Sequence, residues 1–139
     1  MQTFVPYPDL QLTVSCLDRQ RLGKQRVEAF QILNCLTGNG GKSWVRHPAV
    51  KMWRGYEDFL QLYMNQCIQE WIRRGYKNTM KLAVIRKPKP PFWWESEIHA
   101  THRAALLFKD FEWYQQFGWE ENPIIKYFWP GPANSSLSF

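Results

Sequence analysis

The string DRQRLGKQRVEAFQILNCLT, residues 18–37, carries apolar residues at helical spacing and runs straight into glycine. The combination reads as one long amphipathic helix. Leu22, Ala29, Leu33 and Leu36 fall on one face, while Arg21, Lys24, Gln25 and Glu28 gather on the opposite one. Gly38, Asn39, Gly40 and Gly41 end the segment. Ahead of it, Pro8 and Asp9 read as a helix start, with Leu10, Val14 and Leu17 following at the same period. His47 and Pro48 open a second long helix, in which Trp53, Tyr56, Leu60, Tyr63 and Cys67 form a buried stripe towards Trp71. Gly75 stops it after Arg73 and Arg74, cations suited to a helix C-terminus. A third helix starts near Ser96 and includes IHATHRAALLFKD, with a break around Gly118. Residues 76–95, with KPKPP at 87–91, read as a long basic surface loop. No strand pattern and no repeat emerges. The expected fold is all-α: a compact single domain of three main helices with long loops and an aromatic C-terminal segment. It would span residues 1–132, with 133–139 as a flexible tail.

A chain of 139 residues can bury a core without metal or disulfide staples. Its cysteines, Cys16, Cys35 and Cys67, form no CxxC pair, and their odd number leaves no complete internal disulfide pattern. They read as core residues in a reducing compartment. No window approaches the roughly 18 apolar residues of a membrane span, and MQTFVPYPDL lacks the pattern of a secretory signal. The expectation is a cytoplasmic monomer with no cofactor. Eighteen Lys and Arg against twelve Asp and Glu give a formal charge of +6, which favours a polyanionic partner. Aromatics make up 17% of the chain, with eight tryptophans; they either form an unusually aromatic core or lie near the surface, where they stack on bases.

Arg26 is the oddest charged residue, because helical spacing places it among Leu22, Ala29 and Leu33. Either it snorkels or pairs with a core carboxylate, or its guanidinium binds a phosphate bidentately. Glu28 lies one turn after Lys24 and close to Arg21, so it is either an exposed ion pair or a carboxylate held ionised beside DNA. In the second case it can stabilise an oxocarbenium-like sugar cation or position a water. His99, His102, Arg103 and Lys109 share a basic stripe on the third helix, suited to phosphate or base contacts. Two histidines three apart without a third ligand are a poor zinc site. His47 either caps its helix or presents imidazole and backbone amides to a phosphate. Lys126, Tyr127, Phe128 and Trp129 set a cation beside three aromatics, either as a stacking surface for distorted duplex or as a plug over the helices. With Arg19, Arg21, Lys24 and Gln25, these residues make up the expected DNA-binding set.

These segments resemble the pyrimidine-dimer DNA glycosylase family of the phage endonuclease V type. LDRQRLGKQR at 17–26 looks like its arginine-bearing helix, and HPAVKMWRGYEDFLQLY with EWIRRGYKN looks like its long central helix. EIHATHRAALLFKD and KYFWP look like its late basic helix and aromatic C-terminal segment. The resemblance implies a three-helix domain that bends DNA and flips a nucleotide out of the stack. It also implies an N-terminal amine that attacks the sugar C1′ to form an imine, and an essential glutamate next to an arginine on the first helix. Arg26 matches that arginine. Val27 occupies the adjacent position, so the glutamate role falls to Glu28, one residue later.

The N-terminus departs from the family in a second way. The family exposes a small second residue after methionine removal, whereas Gln2 is large and implies that Met1 is retained. Either the Met1 α-amine, a group that ordinarily titrates near ~8, is the nucleophile, or water replaces it and the product is an abasic site without imine chemistry. The implied substrate is double-stranded DNA bearing an ultraviolet dimer or a bulky modified cytosine, such as the glucosylated hydroxymethylcytosine of phage DNA. The first implies repair, the second defence against foreign DNA. A non-catalytic module that binds distorted duplex would account for the same charge and aromatics without Glu28.

Overall fold

A computed structural model of the chain describes residues 2–40, 44–86 and 88–130. Met1, Gly41, Lys87 and the expected tail at 133–139 lie outside the described residues. The architecture is all-α, with no strand among the described residues. In chain order the helices are α1 (Leu10–Cys16), α2 (Arg19–Leu36), α3 (Pro48–Lys51), α4 (Glu57–Arg73), α5 (Ile98–Lys109) and α6 (Phe111–Tyr114). A 3-10 turn follows at Gln115–Phe117. The three long helices, α2, α4 and α5, are those expected from the apolar spacing. No helix among the described residues is long and apolar enough to cross a membrane.

Local chemistry explains the boundaries. Asp9 Oδ1 accepts the Leu12 N–H at 2.8 Å and Asp18 Oδ2 that of Arg21 at 3.3 Å, so each carboxylate caps a helix whose first amides would otherwise be unpaired. Ser96 Oγ accepts the Ile98 N–H at 3.2 Å at the start of α5. The second helix differs from expectation. The segment from Pro48 to Arg73 is not continuous, because Gly55 takes a left-handed conformation, φ 88°, and divides α3 from α4. The third also ends earlier than Gly118: non-helical backbone at Asp110 breaks it, and the Asp110 side chain caps the short α6.

The core is formed by α2 and α4 packed along their length, with α5, Phe4 and Val5, and Tyr127 to Trp129 closing over them. Gly23 makes the α2–α4 contact close: a Cβ there would stand 3.0 Å from Cζ3 of Trp71. Trp53, Trp93 and Trp94 are buried, and Cys16, Cys35 and Cys67 are buried free thiols. Burial pushes the Cys16 thiol up to about 12, the direction expected of an unreactive core cysteine. Residues 2–6 run extended and buried through this core.

Candidate active site

Each backbone N–H from Gln2 to Val5 has a side-chain acceptor, and three of the four acceptors lie on helices. Gln2 N–H donates to Glu28 Oε2 at 3.2 Å, Phe4 N–H to Gln25 Oε1 at 2.8 Å, and Val5 N–H to His102 Nδ1 at 2.9 Å. The carbonyls are held as well. Gln25 Nε2 donates to Gln2 O at 3.1 Å, Tyr63 OH to Phe4 O at 2.8 Å, and a His99 ring nitrogen lies 2.6 Å from Val5 O. Trp53 Nε1 donates to Thr3 Oγ1 at 2.9 Å. A segment with so many directed partners has its register fixed, which places residue 2 against the carboxylate on α2. Gln25 Nε2 also donates to Glu28 Oε2 at 3.1 Å, so that oxygen is oriented from two sides.

Glu28 opens onto a recess of about 260 Å³ lined by Gln2, Phe4, Gln20, Arg21, Lys24, Gln25, Lys109 and Tyr127. Three cations from α2 and the end of α5 thus surround one carboxylate and two aromatic rings. Arg21 is steadied by Asp18 at 3.2 Å, and Asp18 in turn accepts a short hydrogen bond from Tyr114 OH. Tyr127 meets Phe4 and His102 edge to face, with ring centroids 6.3 and 5.7 Å away. On the other side of Lys24 and Glu28 an open groove of about 670 Å³ runs past Arg19, Gly23, Val27, Gln31 and Trp71. A cationic recess with a single oriented carboxylate suits a polyanion whose sugar is to acquire positive charge.

A family model described as pyrimidine dimer DNA glycosylase matches residues 1–84, more than half of the chain. The chain belongs to that family. Its class is therefore DNA glycosylase and its substrate DNA. No curated protein and no solved structure matches the chain. The matched residues of this glycosylase include the buried N-terminal segment, α2 and Glu28. His99, His102, Arg103, Lys109 and Tyr127 lie beyond them.

Of the residues expected at the site, the fold brings Arg21, Lys24, Gln25, Glu28, Lys109 and Tyr127 together around the recess. For several of the expected residues the fold supplies partners that the sequence did not indicate. Glu28 is not an exposed ion pair: its partners are an amide N–H and a carboxamide. Gln25 is 2% exposed and its carboxamide is engaged by Phe4, Tyr63, Gln2 and Glu28, so it holds the site together. His99 and His102 are buried and clamp the N-terminal segment, because a histidine every three residues on α5 faces inward, not along a solvent stripe. His99 spans Val5 O and Trp94 O at 2.6 Å each. Burial, and then the neighbouring His99, lower the His102 imidazole to about 3. Arg103 is half-buried, donating to Pro6 O at 2.8 Å and to both Glu121 oxygens.

Arg26 is partly buried and forms no ion pair with a carboxylate among the described residues. Its guanidinium lies 4.3 Å from the Trp71 ring centroid and donates to Asn78 Oδ1 at 2.7 Å, while its buried Nε has no partner. Burial lowers its pKa. The side chain faces α4 and does not line the recess at Glu28. Arg19 sits over Tyr76 at 5.1 Å on the groove side. His47 caps α3 through Ala49 N–H at 3.0 Å and packs between Trp44 and Trp129. Trp129 is half-buried against His47 and Tyr127, and Lys126 is exposed. Sequence reasoning missed Gln2, Phe4 and Gln20 as wall residues and Thr3 and Tyr63 as supports. The one available signal was MQTFV itself, an apolar and uncharged start whose amides need partners once buried.

Proposed function

We propose that this glycosylase excises a base of an ultraviolet pyrimidine dimer at the recess beside Glu28 and then cleaves the strand through an imine. The observation that carries the reading is the 3.2 Å hydrogen bond from Gln2 N–H to Glu28 Oε2, which brings the start of the chain to the one carboxylate lining the cationic recess. Arg21, Lys24 and Lys109 would hold phosphates around the flipped nucleotide, with Arg19 and Lys126 supporting the duplex outside. Tyr127 offers a ring for stacking.

The nucleophile in this reading is the Met1 α-amine, one residue from the Gln2 nitrogen. Its lone pair forms a bond to C1′ as the glycosidic bond breaks; the displaced base keeps the electron pair of the broken bond, takes up a proton and stays joined to its dimer partner through the cyclobutane ring. Glu28 accepts the proton lost by the amine and stabilises positive charge on the sugar. Opening of the sugar ring gives the imine, and loss of a 2′ proton then expels the 3′ phosphate. A bulky modified cytosine is the second reading, favoured by the open 670 Å³ groove beyond Lys24 and Glu28. A panel of duplexes carrying an ultraviolet dimer, hydroxymethylcytosine or its glucosylated form, scored for abasic sites, decides between them. Borohydride should trap a protein–DNA adduct on the dimer duplex. Abasic sites without an adduct assign attack to water. Tight, salt-dependent binding with no abasic site formed in any duplex overturns the enzymatic reading in favour of a binding module.

A further inference from the structure

We infer that Tyr114 is a positioning residue of the recess: its hydroxyl, acting through Asp18, aims the Arg21 guanidinium at a backbone phosphate of the bound DNA. The inference rests on the reading of this recess as the DNA site and gives it a support on the short helix α6, beyond the residues that the family model matches. Tyr114 is fully buried and closed against Asp18 twice over. The Asp18 N–H donates to the phenol oxygen at 3.1 Å, and the phenol O–H donates a short hydrogen bond to Asp18 Oδ1. The ring is stacked on Trp119, with centroids 5.6 Å and planes 15° apart, so the hydroxyl is held at a fixed place. Burial, and then the hydrogen bond to Asp18, push the phenol upward, which keeps it a donor at neutral pH.

What this network leaves free shows its use. Asp18 Oδ2 caps α2 at the Arg21 N–H, and Oδ1, already engaged by Tyr114, takes Arg21 Nη1 at 3.2 Å. Nε and Nη2 of the same guanidinium have no hydrogen-bond partner among the described residues, although Arg21 lines the recess. Those two nitrogens form the edge with which Arg73 and Arg103 each grip a carboxylate in this structure. On Arg21 that edge remains for an anion of the same geometry, and in DNA that anion is the phosphodiester. A helix cap alone would need no tyrosine, since a short acceptor side chain suffices. Of the three cations lining the recess, only Arg21 has an ion pair among the described residues. Holding a long side chain in place before the ligand arrives removes the loss of its freedom at binding.

The test is a double-mutant cycle on affinity for a dimer duplex, read by fluorescence anisotropy. All four proteins carry Glu28→Gln so that the duplex stays intact: the otherwise unchanged chain, Tyr114→Phe, Arg21→Ala, and both together. Tyr114→Phe should weaken binding about fivefold, the scale of ordering one long side chain at an interface. In the Arg21→Ala background the same change should have no effect, because it acts through Arg21. Equal weakening in both backgrounds is the mark of a loosened fold and overturns the role of Tyr114. So does a Tyr114→Phe protein that binds as tightly as its parent. If Tyr114→Phe does not fold, Asp18→Asn runs the same cycle, since asparagine still caps the helix while the charge that holds Arg21 is gone; its effect should likewise vanish without Arg21. Excision is scored apart, on the parent. No abasic site in a dimer duplex overturns the excision reading, whereas coupling between Tyr114 and Arg21 upholds this one.

Discussion

Gln2 N–H and Glu28 Oε2 stand 3.2 Å apart, although 26 residues separate them in the chain. The contact is built from behind. Gln25 holds the Gln2 carbonyl and the same Glu28 oxygen with one nitrogen, while its own oxygen is held by Phe4 N–H and Tyr63 OH. Carboxylate and chain end are thus parts of one network, and each of its members can be removed in turn.

Gln25→Leu removes the hub. Phe4 N–H and Gln2 O are then buried without partners, and unpaired buried groups cost about 1–3 kcal/mol each. A loss of about 3 kcal/mol is expected, lowering the thermal midpoint by roughly 10 °C. Formation of abasic sites should fall with it, because Glu28 loses one of its two orienting partners. An unchanged midpoint would mean that the segment is held by other contacts.

His102 makes stability depend on pH in a defined window. Its imidazole titrates near 3 in the fold against an ordinary 6.5, so the unfolded chain takes up a proton where the folded one does not. Stability is therefore full above about pH 6.5 and declines as the pH falls towards 3. Glu70 is buried, yet the Arg73 and Arg74 guanidinium groups outweigh that and hold its carboxyl below the ordinary 4.5. Its loss therefore belongs to more acid solution. His47, lowered by burial, acts in the same direction as His102. Thermal midpoints between pH 7 and 5 should fall, and His102→Asn, which keeps an acceptor for Val5 N–H, should flatten most of the slope. A slope unchanged in that variant would exclude His102 as its source.

The helices were legible because their signals are local. Apolar spacing marks α2, α4 and α5, and Asp9 and Asp18 cap where a short carboxylate is expected to. The break at Gly55 was not, since a glycine inside a periodic run is compatible with either a continuous helix or a left-handed turn. The site was half legible. Glu28, Arg21 and Lys24 share one helix, and Lys109 and Tyr127 were singled out by charge and ring, so each could be named alone. What brings them together is the buried run from Gln2 to Pro6, and its partners Gln25, His99 and His102 carry the same polar signature whether they face DNA or a backbone amide. Helical spacing separates two faces of α5 but does not say which one another segment covers.

Arg26→Gln separates packing from chemistry at the residue most conspicuous in the sequence. The guanidinium is engaged by Trp71 and Asn78, so the variant should lose about 1 kcal/mol of stability through the missing cation–π contact. Single-turnover formation of abasic sites at saturating enzyme should stay within about threefold of the parent, less than the ~100-fold that a proton-transferring group commonly supplies. A collapse in that rate with the midpoint preserved would place Arg26 on the DNA from the groove side.

Lys109→Ala tests the cationic wall. Lys109 is exposed and lines the recess from the end of α5. Removing one phosphate contact should weaken binding to all duplexes alike and reduce the slope of log affinity against log salt by about 1. Weakened binding to damaged duplex alone would assign Lys109 to the base instead.

Glu28→Gln is the most direct measurement of all, because the carboxamide preserves size and keeps an oxygen for the Gln2 and Gln25 contacts while removing the charge. Formation of abasic sites in a dimer-containing duplex, measured in a single turnover with enzyme in excess, should fall by at least about 100-fold, and affinity for the same duplex should hold within a few-fold. Formation at the parent's rate would contradict the assignment of Glu28 as the catalytic carboxylate.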